Sequence, residues 1–292
     1  MDLQLTGKIA LVTGSTAGIG LEIARRLAVE GADVVICGRN QAKLDAAAVE
    51  VGGRGVLADP ATVEGAEALV AAVPNVDILV NNLGIYEAKA FADITDDDWR
   101  RFFEINVLSG ARLARSYFPG MIARDWGRVI FIASESAVMV PSDMIHYGMT
   151  KTAQLAISRG LAGLTKGTKV TVNTVMPGTT RSEGIVDFLK SVADDPNAPA
   201  EDIERAFFAK DRATSLIQRM IEPEEIADLV AYVASPLSSA TNGAALRVDG
   251  GITPTIVGGH PRATSRPPPA FLWRHAEAAM CVLDVQRSLA TD

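Results

Sequence analysis

Two polar side chains four residues apart, Tyr147 and Lys151, form the pair in this sequence best suited to proton chemistry. In a helix, residues at this spacing project from the same face, so both can act on one bound molecule. A free tyrosine has a pKa of about 10, and a neighbouring ammonium group favours the phenolate. Tyr147 is therefore a candidate general acid and base, and we expect Lys151 to lower its pKa.

Ser134 precedes Tyr147 by thirteen residues and ends the apolar run at 128–134. If that run is a buried strand, Ser134 lies at its carboxyl end, the edge at which open α/β sheets bind ligands. Its hydroxyl can then hold a substrate oxygen. His146 adjoins Tyr147 but points away from the face shared with Lys151, so we interpret it as a pocket-wall or structural residue.

A glycine-rich turn between an apolar run at 9–13 and a helix-length segment at 17–30 predicts a phosphate-binding site. In a strand-turn-helix unit, backbone N–H groups and the helix N-terminus receive the pyrophosphate of a dinucleotide. We expect Gly14 to form the tight turn, Gly18 to admit the cofactor and Gly20 to pack the helix on the strand. The predicted contacts in this turn are Gly14, Ser15, Thr16, Gly18, Ile19 and Gly20.

The end of the second strand bears on which nicotinamide cofactor would bind. NAD-binding chains usually place Asp or Glu there for the ribose hydroxyls, whereas this sequence has Gly38, Arg39 and Asn40. A guanidinium group suits the 2′-phosphate of NADP. Arg39 therefore predicts NADP(H), with NAD(H) as the alternative.

The order and spacing of these motifs resemble the short-chain dehydrogenase/reductase family, including its 3-oxoacyl-ACP-reductase-like members. The resemblance covers roughly residues 5–253 and includes the glycine spacing G-x-x-x-G-x-G and the Tyr-x-x-x-Lys motif. Residues 81–84 stand where the family has N-N-A-G, with Leu83 in place of the usual alanine. The resemblance implies that Asn106 supports a water-mediated proton relay through the lysine. The implied catalytic set is Asn106, Ser134, Tyr147 and Lys151.

The resemblance also implies cofactor contacts beyond the glycine turn and Arg39. Asp59 resembles the family's adenine-contacting aspartate, and the loop after the sixth strand resembles the one beside the nicotinamide. The positive charge of that ring, when oxidised, would favour the phenolate of the tyrosine. The additional contacts are Asp59, Asn82, Gly84, Tyr147, Lys151, Pro177, Gly178, Thr179 and Thr180, with Arg181 as a further candidate.

Short apolar runs that alternate with helix-length segments predict a parallel sheet, whose strands are buried on both faces. We expect a single doubly wound Rossmann-type α/β domain, with a seven-stranded parallel sheet and helices on both faces. One predicted helix, at 98–124, contains Pro119 and Gly120 and should be kinked or broken there. The clearest strand runs lie at 9–13, 34–37, 77–82, 128–134 and 169–175.

The predicted domain organisation has two parts. Residues 1–256 form a dinucleotide-binding and catalytic domain, and residues 257–292 form a proline-rich C-terminal extension. Within the domain, the stretch at about 183–220 breaks the strand-helix rhythm. It is either a substrate lid or an ordinary surface insertion, and its length favours the lid.

Composition limits the partners that this chain could have. A net charge of −7 without a long basic run argues against nucleic acid and anionic membranes. The two cysteines are far apart and outside any zinc spacing, so no metal site is predicted. The N-terminus lacks the features of a signal peptide and no apolar stretch would span a bilayer, so we expect a cytoplasmic protein. The family resemblance implies a homodimer or homotetramer.

These observations predict an NADP(H)-dependent oxidoreductase that moves a hydride to or from a small-molecule carbonyl or secondary alcohol. One alternative is an NAD-linked alcohol dehydrogenase working in the oxidative direction. Another is a cofactor-binding protein that senses NADPH without catalysis. Many substrates share this fold and these motifs, so the substrate stays open.

Overall fold

A computed structural model describes residues 1–256, apart from the side chains at positions 183, 187, 188, 191 and 192. Residues Met1–Pro254 form one compact unit. The C-terminal extension predicted for 257–292 lies outside the described residues.

Seven parallel strands form one sheet, which confirms the predicted fold class. They are β1 (Ile9–Val12), β2 (Asp33–Gly38), β3 (Arg54–Leu57), β4 (Ile78–Asn81), β5 (Gly127–Ile132), β6 (Val170–Pro177) and β7 (Ala245–Val248). Their order across the sheet is β3-β2-β1-β4-β5-β6-β7. The chain thus runs outward from β1 to β3 and then returns to the other side of β1, which leaves a crevice at the carboxyl ends of β1 and β4.

Nine α-helices in the described part of the chain flank the sheet or follow it. They are α1 (Gly18–Val29), α2 (Gln41–Val51), α3 (Val63–Ala72), α4 (Asp96–Phe103), α5 (Ser109–Ala123), α6 (Ile145–Gly163), α7 (Glu183–Val192), α8 (Ala200–Asp211) and α9 (Pro223–Ala234). One apolar core joins the sheet to α1, α2 and α9, and a second joins it to α3, α5 and α6. Because both faces are covered, every residue of β5 and β6 is buried.

The long helix predicted at 98–124 is irregular at a different place from the one expected. It does not break at Pro119, because α5 continues to Ala123 and packs Tyr117 and Met121 into the core. The missing proline N–H removes the helical hydrogen bond to the Arg115 carbonyl, and only four residues of α5 follow Pro119. The irregularity is instead a π-helix at Glu104–Leu108, between α4 and α5.

The fold predicts that the chain remains folded when it is cut after residue 256. All seven strands and both apolar cores lie before that point. We expect the truncated protein to be soluble and to unfold within about 3 °C of the full chain, a difference of roughly 1 kcal/mol for a domain of this size. Thermal denaturation followed by circular dichroism measures this. An insoluble or strongly destabilised product would show instead that residues 257–292 stabilise the fold.

Candidate active site

The turn between β1 and α1 takes the shape that its glycines permit. Gly14 and Gly18 have φ values of +61° and +56°, in the left-handed region that disfavours other residues. A Cβ atom at Gly18 would meet nothing within 4 Å, so the space in front of the helix N-terminus is open. A Cβ atom at Gly20 would lie 2.3 Å from the Gly14 carbonyl oxygen, so only glycine lets α1 approach the turn this closely.

Hydrogen bonds tie this turn to the end of β4. The Thr13 hydroxyl accepts from the backbone N–H groups of Asn82 and Leu83, both at 3.0 Å. In return, Asn82 Nδ2 donates to the carbonyl oxygens of Thr13 and Gly14, at 3.0 and 3.1 Å. Asn82 therefore holds the glycine-rich turn against the end of β4. Thr13 was missed by sequence reasoning, although a hydroxyl directly before the first glycine was a visible signal.

The predicted contact residue Ser15 uses its hydroxyl inside the fold. Its Oγ donates to the Val12 carbonyl at 2.7 Å and accepts from the Cys37 N–H at 3.2 Å, joining β1 to β2. The side chain is fully buried. Ile19 is half-buried and packs on the apolar core beneath α1. Both residues thus offer mainly their backbone to a ligand.

At the end of β2, Arg39 is free to meet a ligand but has one neighbour of opposite charge. Its side chain is 78% exposed, and its guanidinium lies 3.6 Å from the Asp59 carboxylate. Asn40 caps α2 by accepting from the Lys43 N–H, so Arg39 lies in the short connection between β2 and α2. A side chain at Gly38 would collide with Thr16, whose Cγ2 would be 2.6 Å from the added Cβ. Thr16, Arg39 and Asp59 therefore surround one corner of the turn.

Tyr147 and Lys151 occupy successive turns of α6. The Lys151 ammonium lies 5.6 Å from the centre of the Tyr147 ring and donates to the Ile132 carbonyl at 2.9 Å. Burial lowers the pKa of Lys151 to about 8. Burial also raises the pKa of Tyr147, and the Glu135 carboxyl adds to this rise while contact with the Ser134 hydroxyl opposes it. The expected lowering of the Tyr147 pKa by Lys151 is thus wrong for the cofactor-free protein, because desolvation of the phenolate dominates.

Ser134 follows β5 and lies beside the phenol of Tyr147. Its hydroxyl donates to Glu135 Oε2 at 2.5 Å and accepts from the Ser136 N–H at 3.1 Å. The chain extends through Ser134 and then forms a short 3₁₀ turn at Glu135–Ala137. A strand end and a helix face therefore bring Ser134 and Tyr147 together at the carboxyl edge of the sheet.

The π-helix at Glu104–Leu108 places Asn106 against the loop that follows β4. Asn106 Oδ1 accepts from the Ile85 N–H at 2.8 Å, and its Nδ2 donates to the Ile85 carbonyl and to Thr150 Oγ1, both at 3.0 Å. A Cβ atom at Gly84 would lie 3.4 Å from the Lys151 ammonium and 3.5 Å from Asn106 Oδ1. All four predicted catalytic residues and Gly84 thus surround one crevice. A π-helix is a frequent feature of functional sites.

Comparisons with known proteins agree on the family. The family profile described as short chain dehydrogenase matches residues 8–190. This chain belongs to the short-chain dehydrogenase/reductase family. The uncharacterised oxidoreductase YvaG of Bacillus subtilis is 52% identical over 88% of this chain and its own full length. The 3-oxoacyl-[acyl-carrier-protein] reductase FabG of Vibrio cholerae is 31% identical over 86% of this chain and 99% of its own.

A solved structure extends the comparison to the fold. L-sorbose reductase from Gluconobacter frateurii, determined in complex with NADPH and L-sorbose, has a TM-score of 0.82 and 32% identity to this chain. The similarity covers 88% of this chain and all of that one. The family assignment makes this protein an oxidoreductase.

In this short-chain dehydrogenase, Gln154 joins two elements of the site and was not predicted from the sequence. Its Nε2 donates to the Asn106 carbonyl at 2.5 Å, and its Oε1 accepts from the Lys151 ammonium at 3.5 Å. Gln154 is buried one turn after Lys151. Its position three residues after the lysine was a visible signal, because i and i+3 share a helix face.

His146 is buried and contacts apolar rings, in keeping with the structural role expected for it. Its ring centre lies 4.1 Å from that of Phe102 and 6.1 Å from that of Trp99. Neither ring nitrogen has a hydrogen-bond partner within the described residues. Burial lowers the pKa of His146, so the ring is held neutral.

The loop after β6 is anchored to the last strand and to the insertion. Gly178 donates its N–H to the Val248 carbonyl, and Thr180 donates its hydroxyl to the Gly178 carbonyl, both at 2.9 Å. Thr179 accepts the Ile221 N–H through its carbonyl oxygen. Arg181 binds Glu222 and Glu204 at 2.9 and 3.1 Å, so its guanidinium is engaged by carboxylates rather than directed to a cofactor.

The insertion predicted at about 183–220 contains α7 and α8. The two helices share a small apolar cluster of Leu189, Ile203, Phe207, Phe208 and Met220. A cavity of about 240 Å³ between them includes none of the four predicted catalytic side chains in its lining. Burial raises the pKa of Glu135, and the charge of Arg212, at the end of α8, partly opposes that rise, so this end of the insertion lies near Glu135.

Two further properties concern the described residues only. None of the helices within 1–256 has both the length and the apolar composition needed to cross a membrane. The same residues contain no group of three or more His, Cys, Asp or Glu side chains arranged to hold a metal ion.

The buried ammonium of Lys151 predicts that this residue lowers the stability of the folded protein. A pKa of about 8 in the folded protein against 10.5 when solvated corresponds to about 3 kcal/mol of destabilisation below pH 8. We expect Lys151→Met to raise the free energy of unfolding of the cofactor-free protein by about 1 to 3 kcal/mol at pH 7. The gain should shrink between pH 8 and 10.5, because the folded lysine is neutral above pH 8 while the unfolded lysine keeps its proton until about pH 10.5, so raising the pH favours the folded state of the unmodified protein.

Thermal unfolding of both proteins from pH 7 to 10.5 measures this difference. Lys166→Met, at an exposed lysine three residues beyond α6, provides the matched control and should show no pH-dependent gain. A stability difference that stays constant across the range would contradict the assignment of a buried charge.

Proposed function

We propose that this chain transfers a hydride between NADP(H) and the carbonyl or secondary alcohol group of a small molecule, with Tyr147 as general acid and base. The observation that carries the proposal is the gathering of Ser134, Tyr147 and Lys151 at the carboxyl edge of the sheet. This edge also carries the glycine turn, so a bound dinucleotide and these side chains would meet in one crevice.

The residues of the crevice fit a dinucleotide phosphate. Open space in front of Gly18 lies at the N-terminus of α1, where free N–H groups receive phosphate oxygens. Arg39, with Thr16 beside it, borders the corner that would receive the 2′-phosphate. The nicotinamide of the bound cofactor would donate or accept the hydride.

The side chains of this protein would supply the proton and hold the substrate oxygen. Because burial raises its pKa, Tyr147 is protonated at neutral pH and suited to donate to a carbonyl oxygen during reduction. Ser134 would donate a hydrogen bond to the same oxygen. Lys151 would contact the cofactor ribose and favour the phenolate left after proton transfer.

The two alternatives stay testable. Asp59 places a carboxylate 3.6 Å from Arg39, which weakens the positive field there and keeps an NAD-linked alcohol dehydrogenase as the rival activity. A non-catalytic NADPH sensor would bind cofactor and turn over nothing. The NADPH complex of the similar L-sorbose reductase supports the NADP(H)-dependent reductase.

We also propose that the enzyme works in the cytoplasm as a homodimer or homotetramer. The buried thiol of Cys37 is free, as is common in reducing compartments. Family resemblance assigns subunit contacts to the helices at about 98–124 and 146–166.

We propose further that the insertion at 183–220 acts as a lid, since Arg212 at the end of α8 acts on Glu135.

Removing the phenol of Tyr147 tests the catalytic assignment. Tyr147→Phe should reduce kcat by about 10²-fold or more, because it deletes the proton donor and leaves the ring in place. NADPH binding, followed by cofactor fluorescence, should stay close to that of the unmodified protein. The assay follows NADPH consumption with a panel of ketones, hydroxy ketones, β-ketoacyl thioesters, quinones and sugars. Unchanged turnover in Tyr147→Phe would remove the tyrosine from the mechanism.

Replacing Arg39 tests the cofactor preference. Arg39→Ala should weaken the use of NADPH by roughly tenfold to a hundredfold, the worth of a charge-assisted contact to phosphate, and should barely affect NADH. The measurement is kcat/KM for both cofactors with one shared substrate. Arg54→Ala is the matched control, since Arg54 lies at the amino end of β3 and Arg39 follows the carboxyl end of β2. Equal use of both cofactors by the unmodified enzyme, or a preference for NADH, would favour the NAD-linked alternative.

A further inference from the structure

A carboxyl group that the proposed mechanism does not use lies inside the catalytic centre. Glu135 is only 9% exposed, and its Oε2 accepts the Ser134 hydroxyl at 2.5 Å. Its charge also acts on both Tyr147 and Lys151, so all three groups line the same space. A carboxylate in this position influences whatever binds against Ser134.

The hydrogen bond between Ser134 and Glu135 conflicts with the role proposed for the serine. A hydroxyl has a single proton to donate. While that proton is directed to Glu135, Ser134 has none for the oxygen of a substrate carbonyl. The serine becomes available only if another donor takes its place on the carboxylate.

A substrate hydroxyl next to the carbonyl group would supply this donor. Leaving a buried carboxylate without its donor is unfavourable, because the group has lost its contacts with water and gains nothing in exchange. A plain ketone would impose that cost, whereas a hydroxy ketone would not. Burial raises the pKa of Glu135, whereas the hydrogen bond from Ser134 and the charge of Arg212, at the end of α8, oppose that rise and favour the carboxylate form that accepts hydrogen bonds.

We infer that Glu135 determines specificity by accepting a hydrogen bond from a hydroxyl adjacent to the reacting carbonyl. The preferred substrates are then hydroxylated ketones, ketoses among them, rather than plain ketones or acyl thioesters. This inference rests on the proposed reductase function. It differs from a purely structural role of Glu135, because it predicts an effect on one class of substrate and not on the other.

The test compares two ketones of nearly equal size, 1-hydroxy-2-butanone and 3-pentanone, which differ by a hydroxyl in place of a methyl group. The unmodified enzyme should prefer the hydroxy ketone in kcat/KM by about 10²-fold or more, as expected for a site built around a substrate hydroxyl. Glu135→Leu should reduce this ratio at least about tenfold, mainly through a higher KM for the hydroxy ketone. Glu135→Gln should keep most of it, since the amide oxygen still accepts.

Glu87→Leu is the matched control. It also removes a carboxylate near the loop after β4, but Glu87 is partly exposed and paired with Arg101 at 2.6 Å, so the ratio should not change. Comparing variants also cancels the activation that a hydroxyl gives to a neighbouring carbonyl.

Three results would overturn the inference. They are equal use of the two ketones by the unmodified enzyme, an unchanged ratio in Glu135→Leu, and a loss of activity toward both ketones by the same factor. In each case reduction of any ketone in the wider panel leaves the proposed function standing. If no compound in that panel is reduced, the proposed function fails and this inference fails with it.

Discussion

The hydrogen bonds that join Thr13 and Gly14 to Asn82 and Leu83 hold the crevice on which the rest of the site depends. The strands β1 and β4 pair as far as Val12 and Val80, and beyond that point the chain leaves in two directions. Four hydrogen bonds of 3.0 to 3.1 Å then continue the connection where the ladder ends. A crevice at the reversal of strand order is a general property of doubly wound sheets, and here side chains as well as glycines define its floor.

Burial shifts the pKa values of Tyr147 and Lys151 more strongly than any single neighbouring group does. The same desolvation that lowers the pKa of Lys151 to about 8 raises that of Tyr147. Burial thus favours the protonated phenol and the neutral amine, and strongly shifted pKa values of this kind are frequent at functional sites. Such groups destabilise the folded state, and both apolar cores of the sheet must offset that cost.

The irregular backbone of the π-helix at Glu104–Leu108 brings Asn106 close to Lys151 and its neighbours. The π-helix between α4 and α5 places the Asn106 amide on Ile85 and Thr150, and the Asn106 carbonyl on Gln154. Gln154 in turn contacts the lysine ammonium. The π-helix, at the start of α5, is thus linked by Asn106 both to α6 and to the loop after β4.

Sequence alone determined the strand-turn-helix order, the parallel sheet, and the shared face of Tyr147 and Lys151. These features depend on local periodicity, on glycine conformations and on the helical repeat, all of which are readable from neighbouring residues. Only the tertiary structure decided that Ser15 is used inside the sheet, that Arg39 has Asp59 beside it, and that Arg181 is bound by two carboxylates. The partners Cys37, Asp59, Glu204 and Glu222 lie 20 or more residues from the side chains that they contact, so spacing does not reveal them. The pKa of Tyr147 belongs to the same class, because desolvation is a property of the packed protein and no sequence pattern measures it.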